Sequence, residues 1–125
     1  MRKERYRDYA VAAITDWLGA GEPGVDACKR MYKGATRADM IAAACAVSMV
    51  TKTAPDAGEA VRAVYGNMAG GAKRGEITAR VVRFAMDRHV GERQVWEWLA
   101  RVRREFAQAR GLRCERMDTN NARKT

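Results

Sequence analysis

The chain has 125 residues, enough for one domain with a modest core and no need of staples. It carries 24 Lys+Arg against 15 Asp+Glu, a formal net charge of +9. The surplus is uneven: residues 73–125 hold 14 basic and 7 acidic side chains, residues 1–72 hold 10 and 8. A basic half suits a polyanionic partner, because each neutralised phosphate releases condensed counterions; an arginine-rich solvated helix face is the alternative. The 3 cysteines, Cys28, Cys45 and Cys114, form no C-x-x-C pair and share the chain with 1 histidine, which excludes a zinc module and suits a reducing compartment. The longest apolar run, Ile41–Val50, falls far short of the roughly 18 residues of a membrane helix. The opening MRKERYRDYA lacks the apolar core of a signal peptide. The expectation is a soluble, cytoplasmic protein with no membrane partner.

In chain order, Lys3–Leu18 reads as a helix, with Tyr6, Tyr9, Ala10, Ala13, Ile14, Trp17 and Leu18 on one face. Gly19, Gly21, Pro23 and Gly24 end it. Val25–Tyr32 is a weaker helical piece. Thr36 then resembles an N-cap with Asp39 three residues on, opening an alanine-rich helix from Arg37 to about Thr51. Met40, Ile41, Ala44, Val47 and Ser48 are its expected inward face, and its small side chains suit a central position. Pro55 stops it; Asp56 and Glu59 repeat the capping pattern before a helix with Ala60, Val61, Val64, Tyr65 and Met68 on one face. The glycines at 66, 70, 71 and 75 form the one plausible hinge, and residues 118–125, DTNNARKT, have almost nothing to bury and are expected to be disordered. No stretch alternates like a strand. The fold class is therefore all-α, a compact bundle of five or six helices forming a single domain over residues 1–117.

The most informative stretch is Gly75–Leu112. A helix from Glu76 would place Ile77, Val81, Phe84 and Ala85 on one face. A long basic last helix from Gly91 or Glu92 would bury Val95, Trp98, Leu99, Val102, Phe106 and Ala109. Ala85, Val90 and Val95 stand where a helix-turn-helix needs a small residue, an apolar turn residue and an aliphatic residue one turn into its second helix. His89 occupies the usual glycine position, and Arg88 one that is normally apolar. A plain helical hairpin is the alternative.

If the last helix enters a groove, Glu92, Arg93, Gln94, Trp96, Glu97 and Arg101 face the bases. Arg93 suits guanine and Gln94 suits adenine. Glu97 could accept from cytosine or pair with Arg93 or Arg101. Trp96 could cover the sugar–phosphate backbone or pack against a neighbouring helix. Lys73, Arg74, Arg80, Arg83 and Arg104 are the expected phosphate contacts. Enzyme chemistry has little support: His89 has no nucleophile at a recognisable spacing, carboxylates are scattered, and neither GEPG nor AGGAKRGE fits a phosphate loop. No metal ligand set and no cofactor motif is present in the sequence.

The opening MRKERYRDYA and the block RGEITARVVRFAMDRHVGERQVWEWLARVRREFAQARGL resemble small phage and prophage transcriptional regulators. They are similar to late-gene activators whose C-terminal part is like region 4 of sigma factors. The resemblance spans residues 1–10 and 74–112. It implies binding of double-stranded promoter DNA, possible contact with host RNA polymerase, no enzymatic activity, and a recognition helix over Glu92–Arg110 with Arg93, Gln94 and Glu97 as base readers. A homodimer on paired half-sites is expected. Two other readings are a DNA-recognition subunit of a packaging motor, which would form a ring, and a protein-interaction module that blocks a host complex.

Overall fold

A computed structural model describes residues 6–68 and 71–112, so the polar tail lies outside the described residues. Among the described residues six helices follow one another: α1 Arg7–Gly19, α2 Val25–Met31, α3 Gly34–Thr53, α4 Pro55–Tyr65, α5 Glu76–Arg88 and α6 Glu92–Arg110. The chain is all-α, as the periodicities require.

α3 is the centre of the bundle. It packs on α1, α2, α4 and α6, most extensively on α6. Ala42, Ala43, Ala44 and Ala46 are all buried on it, so several neighbours approach the backbone closely at once. One approach depends on glycine: a Cβ on Gly58 of α4 would lie 2.4 Å from Thr51 Oγ1 of α3. The core joins Ile14 and Trp17 of α1, Val47 and Val50 of α3, Val61, Val64 and Tyr65 of α4, Val81 and Phe84 of α5, and Val95, Leu99, Val102 and Phe106 of α6. Cys28 is buried and the burial pushes its thiol pKa up, whereas Cys45 is exposed.

Several helix starts differ from expectation for a common reason. α3 begins at Gly34 with Lys33 ahead of it and no side-chain cap, leaving Thr36 inside the first turn. Asp39 makes a tertiary contact instead, accepting from Tyr9 Oη at 2.8 Å and from Arg110 Nε at 2.7 Å. α4 likewise has no side-chain cap and starts on Pro55, a position that suits a residue without an N–H. Asp56 and Glu59 both reach Arg88 of α5. The acidic residues that resembled caps bind the helices to each other.

Two packing assignments shift as well. Ser48 is exposed, because the buried set on α3 wraps around through Ala42, Ala43 and Ala46. On α6 Ala107 is buried and Ala109 exposed. Tyr9 is 43% exposed, yet its ring still lies 6.2 Å from Phe106.

Candidate nucleic-acid interface

α5 and α6 meet through His89, Val90 and Gly91. His89 takes φ 57°, ψ 41°, the left-handed region. Its N–H donates to Met86 O at 3.3 Å, and the Val90 N–H donates to Ala85 O at 3.0 Å. This paired pattern closes a helix with a Schellman turn, which normally takes glycine at the left-handed position. The residue that departed from the helix-turn-helix pattern thus adopts the backbone that glycine would supply. Val90 is half-buried against the core, and extended Gly91 opens α6. α5 packs on α4 and α6 alone among the described helices.

On α6 the buried stripe is Val95, Leu99, Val102, Phe106 and Ala107. At 3.6 residues per turn the opposite ridge is Arg93, Glu97, Arg101, Arg104 and Gln108, with Gln94 and Glu105 along one side. Glu92, Arg93, Gln94, Trp96, Glu97 and Arg104 are exposed, and Arg101 is half-buried. Arg93, Arg101 and Arg104 form no ion pair with any described residue, and Glu97 pairs with neither Arg93 nor Arg101. From Arg93 to Arg104 the ridge runs about 16 Å at 1.5 Å per residue, three turns of helix. Trp96, 36% exposed, lies off this ridge on the same flank as Arg103.

Four other arginines of this half, Arg80, Arg88, Arg103 and Arg110, are tied to other groups of the molecule. Arg80, expected as a phosphate contact, has its guanidinium engaged within the molecule. Its Nη1 donates to Val64 O at 3.0 Å and to Gly66 O, and its Nη2 pairs with Glu76 at 2.7 Å. A helix end leaves carbonyls without partners, and this guanidinium satisfies them at the end of α4. The same bonds fasten the first part of the segment read as a hinge, where Met68 is also buried. Arg88 joins Asp56 and Glu59 and lies 5.1 Å over the Phe84 ring. Arg103 Nη1 donates to Tyr65 Oη at 2.9 Å.

Lys73 and Arg74 are exposed just ahead of α5. Arg83 is exposed too, but it sits with Ala79, Val82, Met86 and Asp87 on a separate patch of α5. The structure therefore brings together Arg93, Gln94, Glu97, Arg101 and Arg104, with Glu92 and Trp96 at the edges. Arg80 is turned to the end of α4, and Arg83 lies apart.

The inward ties of Arg103 and Arg110 were missed from sequence, although the signal was there. Each stands four residues after a buried aliphatic or aromatic, Leu99 and Phe106, and so falls on the flank of the core stripe. Glu76 has its carboxyl pKa lowered, first by the Lys73 N–H it accepts at 2.9 Å and then by the Arg80 charge. Among the described residues no group of His, Cys, Asp and Glu is placed to hold a metal ion, and no helix is long and apolar enough to cross a membrane. Comparisons with protein-family models, with curated proteins and with solved structures find no match to this chain.

Proposed function

We propose that the protein is a sequence-specific DNA-binding regulator that lays the first turns of α6 in the major groove. One observation carries this reading: α6 directs Arg103 and Arg110 inward, while Arg93, Arg101 and Arg104 form no ion pair with any described residue. The groove is about 12 Å wide and admits one helix, and its base edges present the acceptors and donors that such side chains read. In this reading Arg93 pairs with guanine, Gln94 with adenine and Glu97 with the amino group of cytosine. Lys73, Arg74 and Arg104 hold phosphates and set the register. Phage origin and contact with host RNA polymerase belong to the same proposal, supported by the resemblance of the terminal blocks.

Selection of bound sites from random duplexes tests it. The expected outcome is an enriched motif whose preference at one position relaxes in Arg93→Ala, at a cost of about 1–3 kcal/mol. Arg104→Ala should weaken all duplexes alike and reduce the salt slope by about one. DNA retention with no enriched motif would refute sequence reading.

A second reading has its own support. Glu97 interrupts the basic ridge, Glu92 and Glu105 flank it, and Trp96 is an exposed aromatic beside it. Aromatics and arginine together favour protein interfaces. A protein-interaction module predicts no DNA retention at moderate salt, which separates it from the first reading.

A further inference from the structure

α5 has a second face that no described helix covers. Val81, Phe84 and Ala85 point into the core between α4 and α6. One hundred degrees per residue puts Ala79, Val82, Arg83 and Met86 on the far side. These residues and Asp87 line one shallow depression. Among the described residues Met86 is 70% exposed, against 58% for Met31 and 51% for Met49. The exposed ridge of α6 is charged, as a solvated helix normally is. The exposed ridge of α5 is apolar in its middle.

The two charges beside that strip select the occupant. Arg83 precedes Asp87 by four residues, the less favourable order for an ion pair within one helix, and no ion pair joins them. Opposite charges one turn apart on an apolar strip are self-complementary under a two-fold axis across the helix. When a second α5 lies antiparallel on the first, Arg83 of each copy stands beside Asp87 of the other. The same operation sets each Val82 near the other copy's Met86. The geometry points to α5 as the contact of a two-fold homodimer, made by Ala79, Val82 and Met86 and keyed by two reciprocal Arg83–Asp87 pairs. Arg83 is then a dimer contact and leaves the phosphate set. Two turns of helix bury little against the roughly 1,600 Å² of a standard interface, so the dimer dissociates readily. This inference stands apart from the DNA reading, because it concerns a different face and is tested without DNA.

Sedimentation equilibrium of the full chain over a wide concentration range is the experiment. The expected result is a monomer–dimer equilibrium that Arg83→Asp and Asp87→Arg each weaken about tenfold, since either change turns two attractions into two repulsions. The double variant Arg83→Asp/Asp87→Arg should restore association, because the two-fold axis exchanges both partners of each pair. Met86→Lys should weaken it as well. Circular dichroism of every variant should match the parent, as these side chains are solvent-exposed. A monomer at all concentrations, a ring of higher order, or a double variant as weak as the single ones would overturn the proposal.

Discussion

Arg80 shows how one side chain can fix a junction between elements. Its guanidinium gathers the carbonyls of Val64 and Gly66 and the Glu76 carboxylate, joining the end of α4 to the start of α5. Removing it leaves two carbonyls and a carboxylate without their charged donor, a loss of about 2–3 kcal/mol for hydrogen bonds of this kind. Arg80→Ala should therefore lower the midpoint of urea unfolding with the slope unchanged. Arg80→Lys should recover only part, because a single ammonium cannot reproduce the planar fork. An alanine variant as stable as the parent would show that water replaces the guanidinium at no cost. Glu76 belongs to the same junction and makes it pH-dependent. Its folded pKa lies below the ordinary carboxylate value of 4.5, so its stabilisation is present at neutral pH and above that value. It is lost as pH falls from there through the lower folded value. Thermal melts of Glu76→Gln should show a shallower acid limb than the parent; equal slopes would remove Glu76 from the account.

Among the elements, the turn between α5 and α6 makes the sharpest prediction. His89 occupies the left-handed region at φ 57°, which costs an L-residue roughly 1 kcal/mol or more. His89→Gly should remove that strain and raise the melting temperature by a few degrees, provided the Schellman bonds to Ala85 and Met86 persist. A fall in melting temperature would mean that the imidazole contributes more than the backbone costs. This turn also shows what the sequence could and could not reveal. Helix existence, the apolar stripes of α4 and α5, and the breaks at Gly75 and Gly91 were legible, because 3.6-residue periodicity and glycine punctuation are local signals. Asp39, Asp56 and Glu59 were misread as capping groups. They fit the three-residue pattern of a cap, but α3 and α4 start earlier, at Gly34 and Pro55, and their partners Arg110 and Arg88 are 71 and 29–32 residues away. Tertiary charge pairs leave no periodic trace. The ties of Arg80 to the Val64 and Gly66 carbonyls, 16 and 14 residues away, escaped in the same way, while the outward set on α6 followed directly from the wheel.

At the scale of the whole molecule, two sets of described arginines stand in contrast. Arg62 ties α4 to Glu22 in the loop between α1 and α2, and Arg80 ties α5 to the carbonyls at the end of α4. Arg88, Arg103 and Arg110 join α5 to α4, α6 to α4 and α6 to α3 through Asp56 with Glu59, Tyr65 and Asp39 respectively. Arg93, Arg101 and Arg104 stand outside these ties. Net charge alone therefore overstates what is available to a polyanion. The sites that carry weight are those whose charge is not already neutralised at home. The anchoring of α6 has a further thermodynamic result. Its far end is pinned by Arg110 to Asp39, its middle by Arg103 to Tyr65, and its inner stripe is fully buried. A partner that docks on the first turns meets a surface already in its final shape, so calorimetry should give a heat-capacity change set by the contact area alone, without the larger signature of a segment that folds as it binds.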